Sequence, residues 1–272
     1  MLLASILALL AAGCSTFLEG PEQIIIPTNT PSPSPSPTIT VQWFPATPTP
    51  EPVQPVETQT PLDMKPGIGE VLLSDHFVVE SHWNLGRSQV GSMALGNEDL
   101  TLAISQPKGL LLTLRDAPIF DDFELSINSE ASLCKNNDHY GIVFRANSYQ
   151  DYYRFMVSCA GMIRLDRVRS GVNNTLYNWT PSGNVPPGAP VSLKLGVWAL
   201  GHEMRFFIND TFQFSIRDEA FTSGRVGLYA RSTEATALTI SFSHLLVHGL
   251  DKEAVEKSMN TITPTITATE RP

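Results

Sequence analysis

Three short runs of alternating apolar and polar residues between Tyr140 and Val168 constrain the fold of this chain more than any other feature. They are YGIVFRA, DYYRFMVS and MIRLDRV, and the turn-like stretches NSYQ and CAG separate them. Apolar residues that recur at every second position are typical of strands with one buried face. The stretch therefore predicts a three-stranded antiparallel meander.

The matching of apolar side chains predicts the register of the first hairpin. If residues 147–150 form its loop, Ala146 faces Asp151, and the pairs that follow bring apolar residues together on one side. These pairs are Phe144 with Tyr153 and Ile142 with Phe155.

The second hairpin requires a choice between two loops. A two-residue turn would mix the two faces, whereas a three-residue loop from Cys159 to Gly161, with its glycine in the left-handed conformation, keeps them apart. That loop pairs Ile163 with Val157 and Leu165 with Phe155, and we therefore predict it. The residues predicted to face the core are Tyr140, Ile142, Phe144, Tyr153, Phe155, Val157, Ile163 and Leu165.

Similar short runs extend over the whole stretch from Gly67 to Leu250. Turn residues separate them at regular intervals, and helical periodicity is confined to Asp251–Met259. Many short strands with such spacing indicate an all-β, two-sheet antiparallel sandwich, and residues 67–250 are enough to bury its core. We expect a short helix and a disordered Thr-rich tail in residues 251–272.

A third hairpin is predicted further along the chain, where Asn209-Asp210 is typical of a tight turn. The alternation leaves apolar residues on both sides of this hairpin. One side is predicted to hold Phe207, Phe212, Phe214 and Ile216, and the other Met204, Phe206 and Ile208. The pattern fits an inner strand that is apolar on both faces, or a ligand groove along one face.

Proline and charge are unevenly distributed along the chain. Thirteen of the 21 prolines lie between Pro21 and Pro66, and no Lys or Arg precedes Lys65. Residues 15–66 are rich in Pro, Thr and Ser, so we expect a disordered, extended stalk. The remainder carries all 18 basic and 22 of the 27 acidic residues. That balance argues against nucleic acid and anionic lipid surfaces as partners, because both require a basic patch.

The N-terminus resembles a bacterial lipoprotein signal peptide. Residues 2–12 form an apolar run too short to span a bilayer, and Gly13-Cys14 follow at once, as in a lipobox. The resemblance implies that residues 1–14 are the signal peptide and its processing site, that Cys14 carries the lipid, and that the domain is exported and anchored to the bacterial membrane on its extracytoplasmic side. An ordinary cleaved secretory signal is the alternative.

The two remaining cysteines, Cys134 and Cys159, are predicted to form a disulfide, because export would place them in an oxidising compartment. In the predicted register Asp138 lies opposite Cys159, so a bulge at 135–137 must return Cys134 to its partner. Closing a loop of about 25 residues would stabilise the domain by roughly 2–4 kcal/mol. Two free thiols are the alternative.

The order of these elements resembles a known family. SDHF followed by WN, then FDDFELSIN, the meander runs, FFIND and GRVGLYA, is similar to the concanavalin-like jelly-roll domains of the laminin G and 3-keto-disaccharide hydrolase-like group. The resemblance covers residues 70 to 248. It implies two curved antiparallel sheets, with carbohydrate or protein ligands commonly held on the concave sheet or its rim.

Catalytic and metal-binding signatures are weak. Asp122 and Glu124 share a side of their predicted strand, yet the E-x-D-x-E pattern of sandwich glycanases is absent, as are G-x-S-x-G and H-E-x-x-H. We therefore predict no catalytic residue and no metal ligand. Asp75, Asp121 and Asp122 supply at most three of the six or more oxygens that a Ca²⁺ site needs, so calcium is retained only as an alternative.

The polar face of the meander is the predicted ligand-binding surface. Alternation projects Arg145, Tyr152, Arg154, Arg164 and Asp166 together, and the loop that follows adds Tyr177 and Trp179. Arginine and aromatic side chains can hydrogen-bond hydroxyl groups and stack on a sugar ring. The alternative is a solvated face with cross-strand Arg–Asp pairs, in which Trp179 covers the rim of the core.

Three functions fit these observations. The favoured prediction is a surface-tethered, non-catalytic module that binds glycan or another extracellular or surface-protein ligand. The alternatives are a saccharide hydrolase of the 3-keto-disaccharide hydrolase-like group and a structural domain of a cell-surface assembly.

Overall fold

A computed structural model describes residues 63–234 and 237–261 of the chain. The predicted signal peptide with Cys14, residues 15–62 of the predicted stalk and the Thr-rich tail lie outside these ranges. Within them, no helix is both long enough and apolar enough to cross a membrane.

The described ranges contain fifteen strands, a 3-10 turn at Glu80–His82 and one α-helix, α1. Their bounds are β1 Ile68–Asp75, β2 Gly86–Arg87, β3 Gly91–Leu95, β4 Asp99–Ile104, β5 Leu110–Leu114, β6 Phe123–Leu133, β7 His139–Ser148, β8 Asp151–Ser158, β9 Met162–Arg169, β10 Val172–Pro181, β11 Val191–Leu200, β12 Glu203–Ile208, β13 Thr211–Arg217, β14 Arg225–Arg231, β15 Leu238–Leu250 and α1 Lys252–Thr261.

These strands form two antiparallel sheets that pack face to face. The larger sheet has nine strands in the order β13-β12-β11-β6-β15-β4-β3-β2, with β1 also paired to β15. The smaller has six strands in the order β10-β9-β8-β7-β14-β5. Apolar residues from both sheets interdigitate between them, among them Phe123, Phe144 and Phe242, all fully buried. The fold is a jelly-roll β-sandwich, which confirms the predicted fold class.

Strands β7, β8 and β9 form the predicted meander. Phe144 pairs with Tyr153 and Ile142 with Phe155, as the alternation predicts. The pairing of Ala146 with Asp151 was wrong, because Ser148 takes that place. A bulge follows Phe144, where Arg145 adopts a left-handed conformation with φ of 48°. Residues 145–147 of β7 lie opposite Tyr152 alone, so two extra residues displace the later pairing, which short-range alternation cannot detect.

The second hairpin confirms the predicted three-residue loop. Val157 pairs with Ile163 and Phe155 with Leu165, and Gly161 has φ of 81°. The next strand, β10, was not predicted. It lies at the edge of its sheet and most of its residues are exposed, so its sequence lacks the alternation of a strand with one buried face.

The β12–β13 hairpin turns at Asn209 and Asp210, both with positive φ, as predicted. A register shift within this hairpin pairs Phe206 with Phe214 and Phe207 with Phe212. Phe214 and Ile216 therefore pack on the core side, and their predicted position beside Phe207 was wrong. Phe207 packs on the outer side with Trp198 and Val255 of α1. The strand is thus apolar on both faces because both faces are covered.

The disulfide between Cys134 and Cys159 is present, with Cα atoms 5.8 Å apart. Cys134 follows β6 of the nine-stranded sheet, and Cys159 lies in the β8–β9 hairpin of the six-stranded sheet. The backbone N–H of Cys159 also donates to the carbonyl of Asp138 at 2.9 Å, as the register requires. The bond joins the two sheets at one end of the sandwich.

The two ends of the sandwich domain meet at one edge. Ile68 at the start of β1 pairs with Leu250 at the end of β15, and the N–H of Asp251 donates to the carbonyl of Gly67 at 2.8 Å. Gly67 has φ of 71°, and a Cβ there would lie 2.4 Å from Val255. Only glycine suits this contact between the entering chain and α1.

Candidate functional site

A cavity of about 790 Å³ lies on the outer face of the nine-stranded sheet. Its wall is the segment that precedes β1, and its floor is formed by side chains of β6, β11, β12 and β15. The residues that line it are Asp63, Met64, Lys65, Gly67, Ile68, Glu124, Ser126, Lys194, Phe207, Asp210, Phe212, Leu246 and His248. Charged, hydroxyl and aromatic groups therefore meet in one concave surface.

A second cavity of about 450 Å³ adjoins the first, and both include Lys194. It is lined almost entirely by polar side chains. They are Asn97, Glu98, Asp99, Asn128, Ser129, Glu130, Ser192, Leu193, Lys194, Ser241, Ser243 and His244. We call the two cavities together the sheet groove.

Period-two alternation in β6 places polar groups in the sheet groove. Leu125 and Ile127 face the core, while Glu124, Ser126 and Asn128 project outward into the groove. The sequence prediction used only the acidic start of this strand. The signal that could have found the groove is the unbroken alternation of polar residues through Glu130.

Charged side chains in the larger cavity form a network of ion pairs. The Lys65 ammonium lies 3.0 Å from Glu124 and 2.9 Å from Asp210, and Lys194 lies 2.9 Å from Asp210. Nδ1 of His248 is 3.2 Å from the second carboxylate oxygen of Glu124. Phe207 lies beneath Lys65, with the nitrogen 4.6 Å from the ring centre.

Burial and the neighbouring charges shift the pKa values in this network. Burial alone would lower the pKa of Lys65, but the carboxylates of Glu124 and Asp210 outweigh it and hold that pKa above its ordinary value. Burial likewise opposes ionisation of Asp210, yet hydrogen bonds from Lys65 and Lys194 hold its pKa below the usual range. Lys65 and Asp210 are therefore both charged at neutral pH.

The predicted binding surface lies on the opposite side of the sandwich, on the outer face of the six-stranded sheet. Tyr152, Arg154, Arg164 and Asp166 project together there, as alternation predicts. Asp166 is fully buried between the two guanidinium groups, 2.8 Å from Arg154 and 2.7 Å from Arg164. Cross-strand Arg–Asp pairs are therefore present on this face, as in the alternative interpretation.

Aromatic rings complete this surface. The Cζ atom of Arg154 lies 4.8 Å from the ring centre of Tyr229, and that of Arg164 lies 5.7 Å from Trp179. Trp179 is half-buried and packs edge-on against His139, with ring centres 5.3 Å apart. We call Tyr152, Arg154, Arg164, Asp166, Trp179, His139, Tyr229 and Arg231 the guanidinium face.

Two predicted site residues lie elsewhere. Arg145 is fully buried, and its guanidinium donates to the carbonyls of Gly201 and Asp121 at 2.8 and 2.9 Å, because the bulge turns it away from the face. Tyr177 stacks on Phe214 at 3.7 Å on the core side. A register shift between Tyr177 and Thr180 separates it from Trp179. Neither residue joins the guanidinium face.

The aspartates considered for calcium serve other partners here. Asp75 accepts hydrogen bonds from Arg115, Trp83 and the N–H of Phe77. Asp122 accepts one from the N–H of Gly201 and pairs with Lys252 at 2.8 Å. Within residues 63–234 and 237–261, no cluster of three or more His, Cys, Asp or Glu has an arrangement that could hold a metal ion. Calcium binding remains the untested alternative to the prediction of no metal ligand.

Comparisons with known proteins relate the chain through its fold. No protein-family model and no curated protein sequence matches it. One solved structure is described in terms of endo-acting O-glycanases that members of the human gut microbiota express to initiate mucin breakdown. It is 9% identical to this chain with a TM-score of 0.50, and the match covers 67% of this chain and 100% of that one. A native glycosidic hydrolase has 9% identity and a TM-score of 0.50, over 66% and 97%.

A carbohydrate-binding module from Bacillus subtilis, CBM66, is 16% identical with a TM-score of 0.49, over 62% of this chain and 96% of that one. At such identities the likeness concerns the fold alone. Fold and surface together define a jelly-roll β-sandwich with a polar groove across its larger sheet.

Proposed function

We propose that this protein is a non-catalytic module that binds a glycan in the sheet groove, and that lipid attached to Cys14 displays it outside the cytoplasmic membrane. The observation that carries the proposal is the groove itself, in which hydroxyl, amide and charged side chains succeed one another across four adjacent strands. A polyhydroxylated ligand can exchange hydrogen bonds with such groups at each step. The shared fold with glycosidic hydrolases and a carbohydrate-binding module is compatible with it.

The charges of the larger cavity favour binding over hydrolysis. A glycosidase needs one carboxyl group that can donate a proton and a second carboxylate beside the scissile bond. Glu124 is held by Lys65 and His248, and Asp210 by two lysines. Burial opposes ionisation of Asp210, but hydrogen bonds from the two lysines hold its pKa below the usual range, so it is a poor proton donor. Both carboxylate oxygens of Glu124 are already engaged, one by Lys65 and the other by His248.

The test is a glycan array on the full-length chain, followed by calorimetric titration of each retained glycan. Lys194→Ala and Asn128→Ala should each weaken binding by about tenfold or more, because each removes a hydrogen-bonding group from the groove floor. Lys108→Ala, in the exposed β4–β5 loop, is the control. Retention of no glycan, or unchanged affinity of both groove variants, would contradict the proposal.

Saccharide hydrolysis is a second candidate because the smaller cavity contains Glu98, Asp99 and Glu130. Any glycan that the array identifies should therefore be incubated with the protein and its reducing ends measured. If the glycan is cleaved, and if Asp99→Asn or Glu130→Gln abolishes cleavage while binding is retained, the protein is a hydrolase instead.

A further inference from the structure

The guanidinium face carries an excess of positive charge on a chain whose formal net charge is −9. Arg154, Arg164 and Arg231 contribute three guanidinium groups, and Asp166 is the carboxylate that pairs with two of them. Within the described residues, Arg231 has no carboxylate within ion-pairing distance and is exposed. The balance of these four groups is therefore +2.

The remaining ionisable groups on this face are neutral at pH 7. Burial, together with the charges of Arg154, Arg231 and Arg164, lowers the pKa of His139 to about 4. Burial also raises the pKa values of Tyr152 and Tyr229, even though arginines lie close to both. No second anion offsets the three arginines within this set.

The exposed parts of the face form one continuous surface. Arg164 lies over the Trp179 ring, which contacts His139, and Nε2 of His139 lies 3.2 Å from the Tyr229 hydroxyl. The side chain of Arg164 is 21% exposed, and Trp179 beside it is half-buried. Cationic groups thus border an apolar ring that solvent can reach.

We propose that the guanidinium face is a second binding site, separate from the sheet groove, for an acidic glycan that bears carboxylate or sulfate groups. The planar guanidinium group of Arg231 can donate paired hydrogen bonds to such an anion. Arg164 already donates from Nε to Asp166 and from Nη2 to Thr175, so it can donate to the anion through its remaining N–H groups. The Trp179 indole packs against the sugar ring beside it. Because the two outer faces of a sandwich point in opposite directions, this site does not depend on the groove.

The test compares calorimetric titration of the full-length chain with polygalacturonate, heparin and neutral dextran. We expect both acidic polymers, or one of them, to bind, with affinity that falls as salt rises because ion pairs are screened. Arg231→Gln, at an exposed position, should weaken this binding about tenfold, and Arg164→Gln should do so by at least as much. Arg164→Lys should restore part of it, because charge returns without the planar set of donors.

Arg217→Gln, with a side chain 76% exposed on β13, is the matched control and should leave binding unchanged. The groove variant Lys194→Ala should also leave acidic-polymer binding intact, which separates this site from the proposed function. Equal affinity for dextran, or acidic binding unaffected by Arg231→Gln in a folded protein, would overturn the proposal. Binding lost in Lys194→Ala but retained in Arg231→Gln would move the acidic ligand to the groove.

Discussion

The ammonium nitrogen of Lys65 lies 3.0 Å from a carboxylate oxygen of Glu124, across 59 residues of sequence. Glu124 is 3% exposed, and each of its carboxylate oxygens has one side-chain partner, Lys65 or His248. Lys65 is also the first basic residue of the chain and follows the proline-rich segment. The end of that segment therefore forms part of the groove wall.

Lys65→Met should lower the free energy of unfolding by about 1–3 kcal/mol, because it leaves the buried Glu124 carboxylate short of a charged donor. Urea denaturation of the full chain measures the change. Lys252→Met removes an exposed lysine that pairs with Asp122, and we expect a clearly smaller effect because solvent screens an exposed ion pair. Equal effects of the two substitutions would show that Lys65 does not stabilise Glu124.

Arg145→Met should destabilise the domain by about 2–4 kcal/mol. The substitution removes a fully buried guanidinium and leaves the carbonyls of Gly201 and Asp121 without their donor. Thermal and urea unfolding would report the loss. Arg217→Met, on the surface, should change stability by less than about 0.5 kcal/mol.

Reduction of the disulfide, or Cys134→Ala with Cys159→Ala, should cost about 2–4 kcal/mol of stability, since the bond closes a 25-residue separation between the sheets. Denaturation with and without dithiothreitol measures the effect. The stability of the double variant should not change when dithiothreitol is added. A remaining change would show that the reductant acts on another group.

Stability should fall as the pH drops from about 6.5 to about 4 through His139. Its folded pKa is depressed by burial and by nearby arginines, so the unfolded chain binds more protons in this window and acid favours unfolding. The contribution, about 3 kcal/mol at most, is fully present above the unfolded pKa and lost as pH falls to the folded one.

The pH profile of His139→Gln, compared with that of the wild type, isolates this contribution. The exposed His202 provides the control, and His202→Gln should retain the wild-type slope between pH 4 and 6.5. An identical slope in His139→Gln would contradict the assignment.

Local alternation predicted the elements and the faces wherever strands are regular. Phe155 pairs with both Ile142 and Leu165 because apolar matching across neighbouring strands sets the register. The same reasoning failed at Arg145 and Phe214, since a bulge or register shift changes which way the side chains point and leaves no local signal.

The sheet groove could not be predicted from the sequence, for a different reason. Lys65, Glu124 and Asp210 come from three distant segments, and only the pairing of β6, β11 and β12 brings them together. On the meander, alternation correctly placed Arg154, Arg164 and Asp166 on one face. It could not include Arg231, because β14 joins β7 across a long stretch of chain.

The contact between Gly67 and Asp251 determines how the domain responds to mechanical load. When the chain is pulled through segments that enter and leave at one edge, the tension acts on that edge. It does not pass through the rest of the sandwich. The first ion pairs of the entering chain to carry the force are those of Lys65 with Glu124 and Asp210. The pair of Ile68 with Leu250, at the open end of the β1–β15 ladder, comes after them. Antiparallel strands pulled from the same end separate one residue pair at a time, so β1 should peel away at low force. β15, still paired with β4 and β6, would keep the core closed.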